Sequence, residues 1–349
     1  MGWPIALDQL KSRIGNDLEK RKLMSPGFPL KTHDRANFQR SLLFWYDRHR
    51  RDLPWRANRD PYRVWLSEIM LQQTRVAAVI AHYHEFLRRF PTVKKLARAR
   101  ESSVLAAWSG LGYYRRARTM HAAAKVIVRE YAGIFPATSA DLLALPGIGR
   151  YTAAAIASIA FDQPAAVVDG NVERVLQRGT GKRLEGEELW TAANHLLDAK
   201  RPGDFNQAMM ELGATVCTPR APGCLTCPVI EMCATRGELA AMSKSVPQKK
   251  REIHYALHCH DGEVLLVQRA RDASLMPGMW ELPEHASGNN GDQPHLTLRH
   301  SITVTDYTVR VWRPAADSHA AGKWTPVARL QQVALTGLAR KILLAADII

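Results

Sequence analysis

The stretch LPGIGRYTAAAIASIAFDQPAAVVDGNV, Leu145 to Val172, decides the fold. It joins a Pro-Gly-Ile-Gly turn, a helix of small residues and a lone carboxylate at a second turn. Gly147 and Gly149 can reach backbone angles closed to other residues, and they let the main chain approach a ligand closely. The helix opening at Arg150 begins with N–H groups that lack intrahelical acceptors, a seat for an anion such as a DNA phosphate. Asp169 follows eighteen positions beyond Tyr151, where a reacting centre can lie beside the gripped backbone. A phosphate grip with an acid beside it predicts a DNA-modifying enzyme.

Charge points the same way. Lys and Arg number 48 against 33 Asp and Glu, a formal +15 over 349 residues. That balance favours a polyanionic partner, nucleic acid before an acidic membrane surface. The chain is long enough for two or three domains with their own cores, and its 46% hydrophobic content is ordinary for a soluble protein. The apolar start, Trp3 to Leu7, is too short for a signal-peptide core. The run Tyr151–Val168 is broken by Asp162, Gln163 and Pro164, so it is no membrane span. A cytoplasmic monomer is expected. Of five cysteines, four lie between 217 and 233, which in a reducing compartment suggests a metal site rather than disulfides.

Outward from the deciding stretch, residues 1–34 read as an extension without chemistry. From Phe38 to about Leu239 apolar residues recur at helical spacing, as at Val64, Ile69 and Leu71. Thr138, Ser139 and Asp141 look like a helix start, and Pro91 and Pro136 like helix breaks. Lys244, Lys249, Lys250 and Arg251 surround Pro247, so residues 240–252 read as an exposed basic linker. Strand-like runs follow. Ile253–His258 and Glu263–Gln268 flank Asp261-Gly262, a hairpin signal. Thr303–Trp312 is another β-rich run, and Leu335–Ala346 a closing helix. The expected fold is an all-α part over residues 35–239 and a smaller α+β part over residues 253–349.

Two carboxylates carry the chemistry. Glu68 shares a helix face with Val64, Trp65 and Leu71. Burial there disfavours the charged form, as a general acid needs, whereas a solvent-facing side chain is the plainer alternative. Asp169 precedes Gly170 and Asn171 at a helix start, so it is an N-cap, a reactive acid, or both. Held by backbone N–H groups it stays ionised while Glu68 stays protonated, and such a pair suits cleavage of a bond to a sugar.

The cysteines run Cys217-x6-Cys224-x2-Cys227-x5-Cys233. Four thiolates in this span wrap one centre, either a [4Fe–4S] cluster or a single zinc. Only one C-x2-C unit is present, which favours iron–sulfur. Cys259 reads as a buried free thiol. Aromatic and basic residues interleave in RRDLPWR (50–56) and GLGYYRRAR (110–118). Arg51, Arg56, Arg115 and Arg116 are candidates for phosphates, and Trp55 and Tyr113 for stacking wedges; Trp108 and Tyr114 read as core. Gln72 and Gln73 offer amides for base edges, or else form an exposed polar helix face.

Together LPWR (53–56), WLSEIMLQQT (65–74), GLGYYRRAR, LPGIGRYTA (145–153), VDGNV (168–172), FNQAMMELG (205–213) and the four cysteines resemble the helix–hairpin–helix DNA glycosylases that carry an iron–sulfur cluster. The likeness is closest to their adenine-removing branch and covers about residues 38–233. It implies double-stranded DNA as partner, with A:8-oxoguanine or A:G mispairs, and one [4Fe–4S] cluster that is structural. It implies that Glu68 protonates the adenine ring, that Asp169 stabilises the oxocarbenium centre or bonds with it transiently, and that Tyr151 and Asn171 position them. Arg51, Leu53, Trp55, Gln207 and Glu211 would line the adenine pocket, and Gln73 and Tyr113 would wedge into the duplex. Strand-cutting relatives carry a lysine nucleophile where this chain has Tyr151, so base removal ending at an abasic site is implied.

EVLLVQR (263–269) and PGMWELPE (277–284) resemble the family's Nudix-like C-terminal domain, which reads 8-oxoguanine. The glutamate-rich helix of a working Nudix hydrolase is absent from the sequence. Where the branch often carries Phe-Ser-His, this chain has Ile302-Thr303-Val304, which keeps a hydroxyl and loses the imidazole. A mismatch glycosylase of the same fold with another base preference is a second reading. A non-catalytic iron–sulfur DNA-binding protein is a third, and two costly carboxylates argue against it.

Overall fold

A computed structural model describes residues 32–239, 249–286, 293–302, 305–314 and 321–349. Among these the helices are α1 (Thr32–His49), α2 (Pro61–Leu71), α3 (Val76–Arg89), α4 (Val93–Arg98), α5 (Glu101–Ala107), α6 (Arg115–Glu130), α7 (Ser139–Leu143), α8 (Arg150–Phe161), α9 (Gly170–Thr180), α10 (Glu187–Leu196), α11 (Pro202–Thr215) and α12 (Gly337–Ala345). The strands are β1 (Lys249–Ala256), β2 (Cys259–His260), β3 (Glu263–Gln268), β4 (Trp280–Glu281), β5 (Leu296–Ile302), β6 (Thr305–Trp312) and β7 (Lys323–Pro326). The chain divides at Arg51/Asp52, Phe161/Asp162 and near residue 241 into two units.

The first unit holds α1, α9, α10 and α11. Phe38, Leu42 and Tyr46 of α1 are buried, with Phe205 and Leu212 of α11 and Leu176 of α9. The Phe38 and Phe205 rings lie 6.4 Å apart. The amide of Gln39 donates to the carbonyls of Leu196 and Leu197, which tail off α10 and would otherwise be orphaned. Gly213 lets α11 press against the start of α9: a Cβ there would stand 2.6 Å from Asn171 Cβ.

The second unit holds α2–α8 and all the strands. Trp65, Leu66 and Met70 of α2, Tyr83 and Phe86 of α3, Trp108, and Met120 and Ile127 of α6 are fully enclosed. α8 is buried along Ala153–Ala157, and these short side chains let it close on α2. Caps match the sequence signals. Asp60 accepts from Arg63 N–H ahead of Pro61 in the first turn of α2, and Thr138 accepts from Asp141 N–H before α7.

The strands form a three-stranded sheet in order β1-β6-β5 and a second sheet in which β3 pairs with β2, β4 and β7. Asp261 (φ 45°) and Gly262 (φ 75°) make the expected hairpin turn. Its first arm, however, is only Cys259–His260. The Ile253–His258 run instead feeds β1, which pairs in parallel with β6, Ile253 opposite Val309. β1 reaches back to Lys249, so the linker expected over 240–252 ends earlier. Lys249, Lys250 and Arg251 are exposed while they pair through their backbones, which is how charged residues enter an edge strand. Tyr255, Val264, Leu266, Val309, Leu338 and Ile342 share the core between sheets and α12.

The same unit ties its helical and β parts together. The hydroxyls of Ser109 and Tyr114 both donate to the carbonyl of Leu335, at 3.2 and 2.9 Å. Among the described residues no helix is long and apolar enough to cross a membrane. Thr303 and Val304 of the Ile302-Thr303-Val304 loop, the side chain of Ile302, and residues 1–31 of the expected extension lie outside the described residues; α1 already begins at Thr32.

Candidate active site

Glu68 sits on the third turn of α2 and is 7% exposed, with Val64 and Trp65 buried on the same face. An acid in so apolar a place needs a partner. It has one: the Tyr151 hydroxyl, in the first turn of α8, donates to Glu68 Oε2 at 2.7 Å. The close packing of α8 on α2 brings them together, and the solvent-facing alternative for Glu68 is ruled out.

Asp169 is the N-cap of α9. Its Oδ1 accepts from the backbone N–H groups of Asn171 and Val172 at 3.0 and 2.8 Å, and its Oδ2 accepts from Asn171 Nδ2 at 2.9 Å. The carboxylate is therefore oriented at both oxygens, by the helix start and by the side chain two residues on. Asn171 is held in turn. Its Oδ1 accepts from Arg174 Nη2 at 2.9 Å, and Arg174 also donates to the carbonyls of Gly213 and Cys217. Sequence reasoning missed Arg174 and Asn206. The Asn206 amide accepts from Val167 N–H and donates to Ala165 O, fixing the segment that delivers Asp169. A buried Asn between Phe205 and Ala208 was the available signal.

Arg51 and Glu211 form a bidentate pair, Nε to Oε1 at 2.7 Å and Nη2 to Oε2 at 2.9 Å. Glu211 is 1% exposed, and its carboxylate raises the Arg51 guanidinium further above its ordinary value. Arg51 thus spends its fork on a carboxylate rather than standing open for phosphate, which corrects that expectation. Gln207, one turn before Glu211, is half-buried.

Leu53 and Trp55 are buried in the short turn Pro54–Arg56. The Trp55 ring meets Tyr83 edge-on at 5.5 Å, so it is not a free stacking wedge. Trp108 and Tyr114 are core, as expected. Gln73 and Tyr113 are exposed and both adopt left-handed backbone angles, φ 55° and 47°. Gln72 and Gln73 lie in a turn after α2 rather than on a helix face, because α2 ends at Leu71.

Arg116 is also corrected from phosphate contact. Its guanidinium is spent on the carbonyls of Ile69, Met70, Gln72, Leu111 and Gly112. Arg115 is exposed. Gly147 has φ +73°, and a Cβ there would meet Thr119 Cβ at 2.6 Å, so only glycine fits. Gly149 has no positive φ and open space about it; its value is access, not backbone freedom.

The four cysteines gather around the turns Cys224–Thr226 and Ile230–Met232 and are all half-buried. Burial pushes the Cys227 thiol up to about 11, and Cys217, Cys233 and Cys224 add to it. Arg178 Nη1 lies 3.4 Å from Cys217 Sγ, and Arg236 N–H is 3.4 Å from Cys233 Sγ. Among the described residues no three such side chains are arranged as a ready metal cage. Cys259 is exposed on β2, not buried as expected, since its two-residue strand packs neither face.

A Pro-Gly-Ile-Gly turn opening a small-residue helix, with an acid capping the next helix, defines a helix–hairpin–helix base-excision protein. Residues 66–187 match the HhH-GPD superfamily base excision DNA repair protein model. Over 259 residues the chain is 45% identical to the adenine DNA glycosylase of Mus musculus, covering 68% of this chain and 50% of that one. It is likewise 45% identical to the adenine DNA glycosylase of Rattus norvegicus, over 84% of this chain and 69% of that one. A solved thermostable thymine-DNA glycosylase superposes with a TM-score of 0.56 at 31% identity, over 58% of this chain and 97% of that one. The chain belongs to the HhH-GPD superfamily and, within it, to the adenine DNA glycosylase, or MutY, family. It spans half the length of the mouse relative.

Proposed function

We propose that the protein removes adenine mispaired with 8-oxoguanine, and with G, from double-stranded DNA and leaves an abasic site. The observation that carries this reading is the Tyr151 hydroxyl on Glu68, where a strand-cutting relative would place an amine. Glu68, delivered by α2, protonates the adenine ring, and the glycosidic bond breaks with its electron pair leaving on the base. Asp169 faces the developing positive charge on the sugar, and water then adds at that carbon and gives up a proton. Tyr151 and Asn171 hold the two acids in place.

The other parts fit this reaction on a duplex. The Gly147–Gly149 turn and the start of α8 hold backbone phosphate. Gln73 and Tyr113, exposed in strained turns, enter the stack where the base leaves it. The residues that the resemblance assigns to adenine recognition are Leu53, Trp55, Gln207 and the Arg51–Glu211 pair. The part from residue 253 onward acts as a Nudix-like reader of 8-oxoguanine. Cys217, Cys224, Cys227 and Cys233, with Arg178 and Arg236 donors turned to two of the sulfurs, would hold one [4Fe–4S] cluster, which would supply rigidity to the loop and not hydrolysis.

A duplex with one A opposite 8-oxoguanine tests the reaction. Strand breaks that appear only after alkali support it; breaks without alkali indicate a lyase, and no base loss with intact DNA binding removes the catalytic reading. A T:G duplex run alongside checks base preference. Broad visible absorbance of the purified protein, lost when Cys227 is changed to Ala, checks the cluster against zinc.

A further inference from the structure

The two exposed turns at Gln73 and Tyr113 share one cation. Arg116, in the first turn of α6, directs Nη1 to the carbonyls of Ile69, Met70 and Gln72 and Nη2 to Thr74 Oγ1 and the carbonyls of Leu111 and Gly112. Two of these acceptors end α2, and the other two, Gln72 O and Thr74 Oγ1, flank Gln73. The remaining pair, Leu111 O and Gly112 O, precede Tyr113. Four N–H bonds on the two terminal nitrogens thus serve six acceptors from two chain segments more than 35 residues apart. The guanidinium also lies 5.4 Å from the Tyr113 ring centroid and 5.5 Å from that of Trp108.

We infer that Arg116 is a positioning residue, a clamp that holds the Gln73 and Tyr113 turns at fixed separation so that both side chains enter the duplex together. The inference rests on the base-removal reading and deepens it. Left-handed angles at two non-glycine residues persist only where the surroundings over-determine them, and such strain collects where a ligand is met. Here the determining group is a planar fork whose two terminal nitrogens reach both segments, whereas an ammonium gathers its three donors on one atom.

The far end of the Tyr113 turn is fixed as well. Trp108 Nε1 donates to Gly112 O at 3.2 Å, and the Ser109 and Tyr114 hydroxyls hold Leu335 O. His82 Nε2 lies 3.1 Å from Ser109 O. Arg116 is the one group among these whose bonds reach both turns. Burial lowers its pKa to about 10, still leaving it charged at neutral pH. A cation so fully engaged is not open for phosphate.

The test uses the full chain with a duplex carrying 2-aminopurine as target base opposite 8-oxoguanine, in a Glu68→Gln background so that bond breakage is slow beside extrusion. Extrusion unstacks the probe and raises its fluorescence. Arg116→Met is expected to weaken extrusion about tenfold, a typical coupling within one network. It should match the Gln73→Ala/Tyr113→Ala pair and add nothing when combined with it, while affinity for undamaged duplex is kept.

Arg116→Lys, which keeps the charge, should restore little, and it carries the test where the Met variant fails to fold. Fluorescence equal to the parent's in either folded variant overturns the clamp, as does an effect that multiplies with the wedge variants. If the otherwise wild-type protein releases no adenine, the base-removal reading fails by itself. Release with unaltered extrusion in the Arg116 variants overturns the clamp alone.

Discussion

Tyr151 donates its hydroxyl to Glu68 at 2.7 Å, from the first turn of one buried helix to the third turn of another. Neither residue is placed by its own loop; both inherit their position from the packing of α8 on α2. Glu68→Gln keeps the volume and removes the proton to be delivered. Base release should fall by about 10²–10⁴-fold, the usual worth of a general acid, with DNA affinity kept. Tyr151→Phe removes one hydrogen bond to the acid and should cost about tenfold or somewhat more. Single-turnover release measured across both variants checks the order.

Asp169 caps α9 and, in the proposed reaction, faces the sugar, and substitution separates the two roles. Asp169→Asn keeps an oxygen for the Asn171 and Val172 N–H groups but loses the charge. Stability should change by less than about 1 kcal/mol, since Asn caps as well as Asp. Base release should fall by at least about a hundredfold. Asp169→Ala loses both, with about 1 kcal/mol of stability. Urea unfolding of the two variants beside their rates decides whether cap and charge are separable.

Arg51→Met takes the guanidinium away from a buried carboxylate. Glu211 is 1% exposed and would keep only the Arg51 backbone N–H at 3.1 Å among the bonds drawn from that residue. Removing one partner of such a pair costs about 3 kcal/mol. Denaturant unfolding should show that loss, and the double variant Arg51→Met/Glu211→Leu should recover much of it. A single variant as stable as the parent would contradict the pairing.

Gly213→Ala adds one carbon where there is no room, 2.6 Å from Asn171 Cβ and 2.9 Å from its carbonyl oxygen. Overpacking of this kind costs about 1–3 kcal/mol. Because Asn171 is the displaced residue, the rate of base release should fall beyond what the loss of stability explains. Thermal melting and single-turnover rates on one preparation check both.

His121 predicts acid sensitivity. Burial, with Lys125 next, lowers its pKa below the ordinary 6.5. Well above pH 6.5 it is neutral folded and unfolded, so it adds no slope. As pH falls below 6.5 the unfolded chain takes up a proton that the folded one resists, and stability drops by at most about 1.4 kcal/mol per pH unit. His121→Leu should lose that part of the slope. Unfolding free energies from pH 8 to 5 for both proteins check it; parallel curves would refute it.

Much of this was legible before the fold. The Gly147 turn, the Asp169 cap and the apolar face of Glu68 are local, so spacing alone carried them. Legibility failed where a side chain's partner lies far along the chain. Arg116 looks like any exposed cation beside tyrosines, and only its neighbours at 69–74 turn it inward. Arg51 has Glu211 at 160 residues' distance, and Trp55 finds Tyr83 in the next helix but one. The β part was misread at Ile253–His258 because a parallel partner leaves no turn signal, whereas the Asp261-Gly262 hairpin announced itself.

The two hydroxyls on Leu335 O bear on how the protein can be divided. A chain cut near residue 241 would deprive the Ser109 and Tyr114 hydroxyls of their shared acceptor. The segment ending at Tyr113 would then keep only its ties within the helical part, from Trp108, Arg116 and His82. The strands and α12 are accordingly built into the same unit as α2 and α8, and modularity in the sequence does not make them a detachable accessory.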